Sequence, residues 1–201
     1  MIYNNLIELA RRSPLILGSG SPRRVQLLSE TGISFRQRIP DIHESILAGE
    51  TPYHYALRLA EEKALAVAAS GAEKEIVLGC DTIVVLNDHV LEKPVDQQDA
   101  LKILSLLSGK QHVVCSAVAF ARRSNLLISN FELTKVFFNP ITSEQISGYI
   151  ETGEPMDKAG AYGIQGMGAF LVDRVEGNLD TVVGLPRALL ERLAGEILSI
   201  V

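Results

Sequence analysis

No apolar run in the 201-residue chain approaches the ~20 residues needed to cross a bilayer, so a membrane span is excluded. Positive charge is not in excess: 19 Lys and Arg stand against 24 Asp and Glu, a net charge of −5. That argues against a protein that holds polyanionic nucleic acid by bulk charge, and leaves room for a small anion bound by a few local cations. Cysteine is scarce. Cys80 and Cys115 both lie in strand-like apolar runs, where reduced cysteine behaves as a small hydrophobe. There is no internal repeat, low-complexity tract or linker, so residues 1–201 read as one soluble globular domain. Phosphate and dinucleotide fingerprints are absent too: no Gly-Lys-Ser/Thr follows a glycine turn, and no G-x-G-x-x-G follows a strand. Near the N-terminus, Ile2, Leu6, Leu9 and Ala10 recur at helical spacing, and two arginines follow them. That order is wrong for a signal peptide. It predicts a short amphipathic helical extension over residues 1–14 and a cytoplasmic protein.

What is present centres on Ile76 to Leu86, an almost wholly apolar, β-branched run that reads as a buried strand. Asp81 interrupts it. A carboxylate in such a run either opens a turn and faces solvent, or must meet a metal, a cation, hydrogen-bond donors or water. Gly79, two residues earlier, would let another backbone or a ligand approach closely.

Upstream, Leu15 to Gly18 reads as a short strand entering Ser19-Gly20-Ser21-Pro22-Arg23-Arg24 and then a helix stopped by Gly32. Ser21 suits the N-cap and Pro22 the first helical position. Backbone N–H groups at such a start attract anions, and two arginines in the first turn oppose the helix dipole unless an anion arrives. The plain alternative is a capped helix with solvated arginines. Phe35 to Ile39 alternates as a second strand and leads to Asp41 and Glu44, two acids that suit either loop solvation or chemistry. Thr51-Pro52 opens a long helix whose core stripe is Ala56, Leu59, Ala60, Lys63, Ala64 and Val67. Lys63 either snorkels past the core edge or points into a site.

Beyond the central strand, Asn87-Asp88 predicts a hairpin, and Lys93 is fixed before Pro94. Asp96 caps a helix that stops at Gly109. His112–Ala121 and Leu126–Phe138 read as an antiparallel strand pair, and Thr142 to Gln145 forms a capping box. Gly153 to Gly168 is glycine-rich and long for a connection, yet carries Asp157, Lys158, Tyr162 and Gln165; long ordered loops are commonly functional. Ala169–Val175 and Thr181–Val183 read as strands before a closing amphipathic helix.

Taken together, the segments Ser19 to Arg24, Glu44, Arg58-Leu59-Ala60 with Lys63, Gly79 to Thr82, Glu92-Lys93-Pro94, Asp157 to Gly166 and Val183 to Pro186 resemble the Maf family of nucleoside triphosphate pyrophosphatases. The likeness runs from about Leu15 to the C-terminus, and the glycine-rich loop looks like that of the dTTP/UTP branch. The resemblance implies an α/β fold with a central mixed β-sheet flanked by helices and a substrate cleft, of the Maf and inosine triphosphatase-like kind, often as a homodimer. It implies a hydrolase cutting dTTP and UTP, and modified pyrimidine nucleotides, to monophosphate and pyrophosphate as a house-cleaning activity. No nucleic-acid polymer or membrane partner is implied. By the same resemblance, Asp81 is the proton acceptor and binds a divalent cation (Mg or Mn) with Glu44. Phosphate falls to Ser19, Arg23, Arg24, Lys63 and Lys93, and base specificity to Arg23, Thr82 and Gln165. Two other readings stay open. One is a non-enzymatic, nucleotide-sensing regulator of cell division, since the family name is tied to inhibition of septum formation; the other is a pyrophosphatase preferring purine or 7-methyl-GTP substrates.

Overall fold

The computed structural model describes residues 3–200; Ile2 of the N-terminal stripe lies outside the described residues. Seven strands form one mixed sheet: β1 (Leu15–Gly18), β2 (Phe35–Gln37), β3 (Ile76–Leu86), β4 (His89–Leu91), β5 (Gln111–Arg122), β6 (Asn125–Phe138) and β7 (Val172–Glu176). Their order is β2-β1-β3-β5-β6-β7, with β4 on β3. The helices are α1 (Asn4–Arg12), α2 (Pro22–Ser29), α3 (Pro52–Ala69), α4 (Gln97–Leu107), α5 (Ser143–Glu151), α6 (Leu179–Val183) and α7 (Arg187–Leu198). The expected α/β architecture, a central mixed sheet with flanking helices, is what the chain adopts. No helix among the described residues is long and apolar enough to cross a membrane.

The contacts divide the chain into two compact units. The first holds the chain up to Asp81, Ser116–Glu132, and the chain from Gly184 onward. Here β1 is parallel to both β2 and β3, with Leu15 beside Ile76 and Gly18 beside Gly79. All four residues of β1 are buried, as expected for strands covered on both faces. Helix α1, the N-terminal extension, packs on α7. Leu6 and Leu9 are fully buried, and the backbone N–H groups of Asn5 and Leu6 donate to the Glu191 carboxylate of α7 at 2.8 and 3.0 Å. An acid on a neighbouring helix thus caps α1, whose own N-cap side chain makes no cap bond.

The second unit comprises Thr82–Cys115 and Leu133–Val183. The hairpin between β3 and β4 turns at Asn87 and Asp88, both at positive φ, pairing Val84 with Leu91. Thr51, Asp96 and Thr142 cap α3, α4 and α5 through their side chains, and the Thr142–Gln145 capping box is complete. A second core gathers Leu104, Leu107, Val136, Phe138, Ile150 and Tyr162. Cys80 and Cys115 are both fully buried, as their strand positions predict.

Three local expectations fail. Ser21 occupies the N-cap position of α2 without a side-chain cap bond; its own N–H donates instead to the Ser19 hydroxyl at 3.2 Å. Ala169–Leu171 belongs to a 3-10 turn (Met167–Leu171), and strand begins only at Val172. Thr181–Val183 lies in α6 and not in a strand. Its β-branched run favours extended backbone, but Asn178 overrides it: the Asn178 carboxamide accepts from Asp180 N–H at 3.0 Å and its carbonyl from Thr181 N–H at 3.2 Å. Thr134 then locks Asn178 through two 3.0 Å bonds.

Candidate active site

The register of the first unit decides what meets Asp81. Because Gly18 pairs with Gly79 in parallel strands, the turn leaving β1 at Ser19 emerges level with Cys80 and Asp81. Ligand sites of open α/β sheets lie at such carboxyl ends. Helix α3 lies directly over β3 at Gly79: a β-carbon there would stand 2.2 Å from the Ala60 carbonyl and 2.8 Å from Ala64 Cβ. The backbone that Gly79 admits is therefore that of α3. This close approach sets Lys63, one helical turn from Ala60, against Asp81. The Lys63 ammonium donates to Asp81 Oδ1 at 2.6 Å and pairs with Glu44 at 2.8 Å. Lys63 and Asp81 are 8% and 5% exposed, whereas the Glu44 side chain is half-exposed. Of the two readings for Lys63, the inward one is observed.

Arg24, in the first turn of α2, ties three segments together. Its Nε donates to the Gly184 carbonyl at 2.9 Å, and one terminal nitrogen donates to Ser19 Oγ at 3.1 Å and the Cys80 carbonyl at 3.0 Å. The Ser19 carbonyl in turn accepts from Gln37 at 2.7 Å. Arg23 sits half-buried in the same turn. Burial pushes the Asp81 carboxyl above the usual carboxylate range, with Lys63 and Arg24 pulling the other way. Burial likewise lifts the Cys80 thiol to about 11, which leaves it a packing residue and not a nucleophile.

The second unit carries Thr82, Lys93 and Gln165. Thr82 is half-buried on β3; Lys93 and Gln165 are exposed. The glycine-rich segment is not an open loop. It coils through 3-10 turns at Glu154–Asp157, Ala159–Ala161 and Met167–Leu171. Tyr162, singled out by sequence, points into the core: its hydroxyl lies 2.8 Å from His112 Nε2, and its ring meets Phe138 edge-on at 4.8 Å between centroids. Burial drops the His112 imidazole to about 4, so it stays neutral. Lys158 pairs with Asp157 at 2.6 Å and donates to the Glu154 carbonyl at 2.6 Å.

A family model described as Maf-like protein matches residues 14–197. The chain belongs to the Maf family. A dTTP/UTP pyrophosphatase of Salmonella typhimurium is 49% identical over 172 residues, covering 86% of this chain and 87% of its own length. Another from Vibrio cholerae is 46% identical over 174 residues, covering 87% and 92%. Among solved structures, a HAM1 protein from Coxiella burnetii aligns with a TM-score of 0.47 and 15% identity, covering 94% of this chain and 100% of that one.

In this Maf chain, Arg58 lies outside the apolar stripe of α3, yet it holds the segment carrying Glu44. Its guanidinium makes 2.7 Å bonds to both Glu50 carboxylate oxygens and a 2.8 Å bond to the Ser45 carbonyl, next to Glu44. No spacing signal announces this, because Glu50 lies eight residues away across the helix start. Gln37, Tyr149 and Glu154 were missed for the same reason: their partners are distant or backbone atoms. Asp41, the other acid of its pair, is exposed and belongs to no strand or helix.

The donors near Lys63 suit a divalent cation. Asp81 Oδ2 is buried and makes no hydrogen bond among the described residues, and Glu44 converges on the same ammonium. Mg²⁺ and Mn²⁺ take hard oxygen donors and typically bind through one or two carboxylates plus substrate phosphates. No three His, Cys, Asp or Glu side chains among the described residues are arranged to hold a metal by themselves. These two carboxylates would therefore hold the ion together with substrate oxygens.

Proposed function

We propose that this Maf protein hydrolyses dTTP and UTP to the monophosphate and pyrophosphate. The observation that carries the reading is the buried Asp81–Lys63 pair, with its spare Asp81 oxygen, in the middle of β3, level with the carboxyl end of β1 and beside the Ser19–Arg24 turn. The Salmonella and Vibrio relatives, both dTTP/UTP pyrophosphatases, support the substrate class. In the reaction, a water oxygen forms a bond to the α-phosphorus, the bridge to the β-phosphate breaks, and pyrophosphate leaves with the bond's electron pair. Asp81 accepts the water's proton. Its buried position makes it a stronger base than a solvated aspartate, while Lys63 keeps it ionised to act as one. A divalent ion held by Asp81 and Glu44, when bound, neutralises phosphate charge and acidifies water. Ser19, Arg23, Arg24, Lys63 and Lys93 are assigned to the phosphates. Arg24 is braced in advance, its guanidinium pre-set by the Gly184, Ser19 and Cys80 oxygens, so little freedom remains to be lost on binding.

Base recognition is assigned to Arg23, Thr82 and Gln165. Uracil and thymine present a carbonyl acceptor beside an N–H donor, and one glutamine amide meets both. The test is pyrophosphate release from dTTP, UTP, CTP, GTP and 7-methyl-GTP with Mg²⁺ or Mn²⁺. Preferential turnover of dTTP and UTP is expected. Failure to release pyrophosphate from any of them, or a preference for the purines, refutes the assignment.

A further inference from the structure

An exposed glutamine is a poor reader of bases. An unconstrained amide flips and satisfies cytosine, whose donor and acceptor are reversed, as well as uracil. Selectivity at Gln165 therefore needs a backbone fixed on both sides of it. The Glu154 carboxylate lies at the centre of such a fixture. One oxygen accepts from Met167 N–H at 2.9 Å, and the other from Gly168 N–H at 3.2 Å and the Tyr149 hydroxyl at 2.9 Å. The Tyr149 hydroxyl, donating to Glu154, itself accepts from Gly163 N–H at 3.0 Å. The bonds thus grip Gly163 on one side of Gln165, and Met167 and Gly168 on the other. The knot is tight: a β-carbon at Gly168 would stand 2.4 Å from the Gly163 carbonyl and 2.6 Å from the Tyr149 hydroxyl.

We infer that Glu154 and Tyr149 are positioning residues for pyrimidine selectivity, a clasp that holds the Gly163–Gly168 segment so that Gln165 presents its amide in one orientation. The inference rests on the proposed dTTP/UTP activity and deepens it. Burial works against the ionised carboxylate of Glu154, but the bonds from Met167, Tyr149 and Gly168 and the charge of Lys158 outweigh it and hold the group below the usual range. The clasp is therefore charge-assisted, and such bonds are about twice as strong as neutral ones.

Two variants separate the halves of the clasp. Glu154→Gln keeps the shape but loses the charge and faces the converging donors with an NH₂ group; Tyr149→Phe removes the acceptor for Gly163 N–H together with one of the three donors to Glu154, and leaves the Met167 and Gly168 bonds in place. Amide hydrogen exchange should accelerate at Met167 and Gly168 in the first variant, and at Gly163 in the second. The ratio of kcat/KM for UTP over CTP should fall about tenfold in each, the size expected for one mispaired buried polar group. Inhibition by inorganic pyrophosphate, which has no base, should stay at the wild-type value. In a Gln165→Ala background, Glu154→Gln should leave the ratio unchanged. A wild type without pyrimidine preference overturns the functional reading and this inference with it. A selective wild type whose variants keep the UTP/CTP ratio, lose all substrates and pyrophosphate binding in equal proportion, or lower the ratio further without Gln165 overturns this inference alone.

Discussion

Removing either partner of the Lys63–Asp81 pair leaves a very different remainder, and the difference is measurable. The side chains are 10% and 7% exposed and meet at 2.6 Å. In Lys63→Met, Asp81 loses both the cation that favours its ionised form and its side chain's only hydrogen bond among the described residues, since Oδ2 already has none. Stranding one charge of a buried pair typically costs about 3–5 kcal/mol, which for a chain of this length is a fall of roughly 6–20 °C in Tm. In Asp81→Asn, Lys63 retains Glu44 at 2.8 Å, and the amide oxygen can still accept from the ammonium. The new NH₂ group takes the place of an oxygen that already had no hydrogen-bond partner among the described residues. Its cost offsets the relief of removing a charge that burial disfavours, so stability at neutral pH should stay within about 1 kcal/mol of wild type. Urea denaturation of the two variants with matched m-values is the assay. Both should lose turnover, because each disables the base. Equal destabilisation by the two substitutions would refute the reasoning, as it would mean that attraction, and not desolvation, dominates at Asp81.

The same carboxyl gives a pH signature with two opposite slopes. Activity should fall as pH drops through the raised value of Asp81, placing the acid limb of kcat/KM above the ordinary carboxylate range, and Lys63→Met should move any residual limb higher. Stability runs the other way: the contribution of protonated Asp81 is complete below the unfolded-state pKa and is lost as pH rises through the folded one. A limb at the ordinary carboxylate position would separate Asp81 from the rate. Gly79→Ala should cost about 3 kcal/mol, because the clash is with helix backbone that cannot swing aside; thermal unfolding within 2 °C of wild type would show that α3 lifts freely off β3.

Periodicity and cap chemistry carried most of the fold. The β-branched run of β3, the stripe on α3 and the Thr51, Asp96 and Thr142 caps are all local signals, and each formed as its sequence dictates. Misreadings arose where a tertiary partner overrules local preference, as Asn178 does for Thr181–Val183. Site residues divided the same way. A lysine on an apolar stripe and an aspartate in an apolar strand are each anomalous alone, so sequence could flag both; that they face one another follows only from the close passage admitted by Gly79. Arg58 and Glu154 raised no such flag. One stands on a polar face and the other in a polar turn, where charged residues are ordinary.

Asp81 and Glu154 show why composition could not rank the acids. Both are carboxylates drawn out of bulk water, and burial pushes both toward the neutral form. What separates them is the number of donors. Glu154 accepts two backbone N–H bonds and a tyrosine hydroxyl, and its pKa falls below the usual range. Asp81 accepts one bond on one oxygen and, among the described residues, none on the other, and its pKa rises. A carboxylate already accepting three bonds has little acceptor capacity left for a water and little basicity to take its proton, so Glu154 is suited to holding backbone. A buried, undersupplied one has both. An oxygen whose burial without a donor costs the folded state is thus the one equipped to reach a metal ion or accept a proton, and satisfying it with a new donor should gain stability at the expense of turnover.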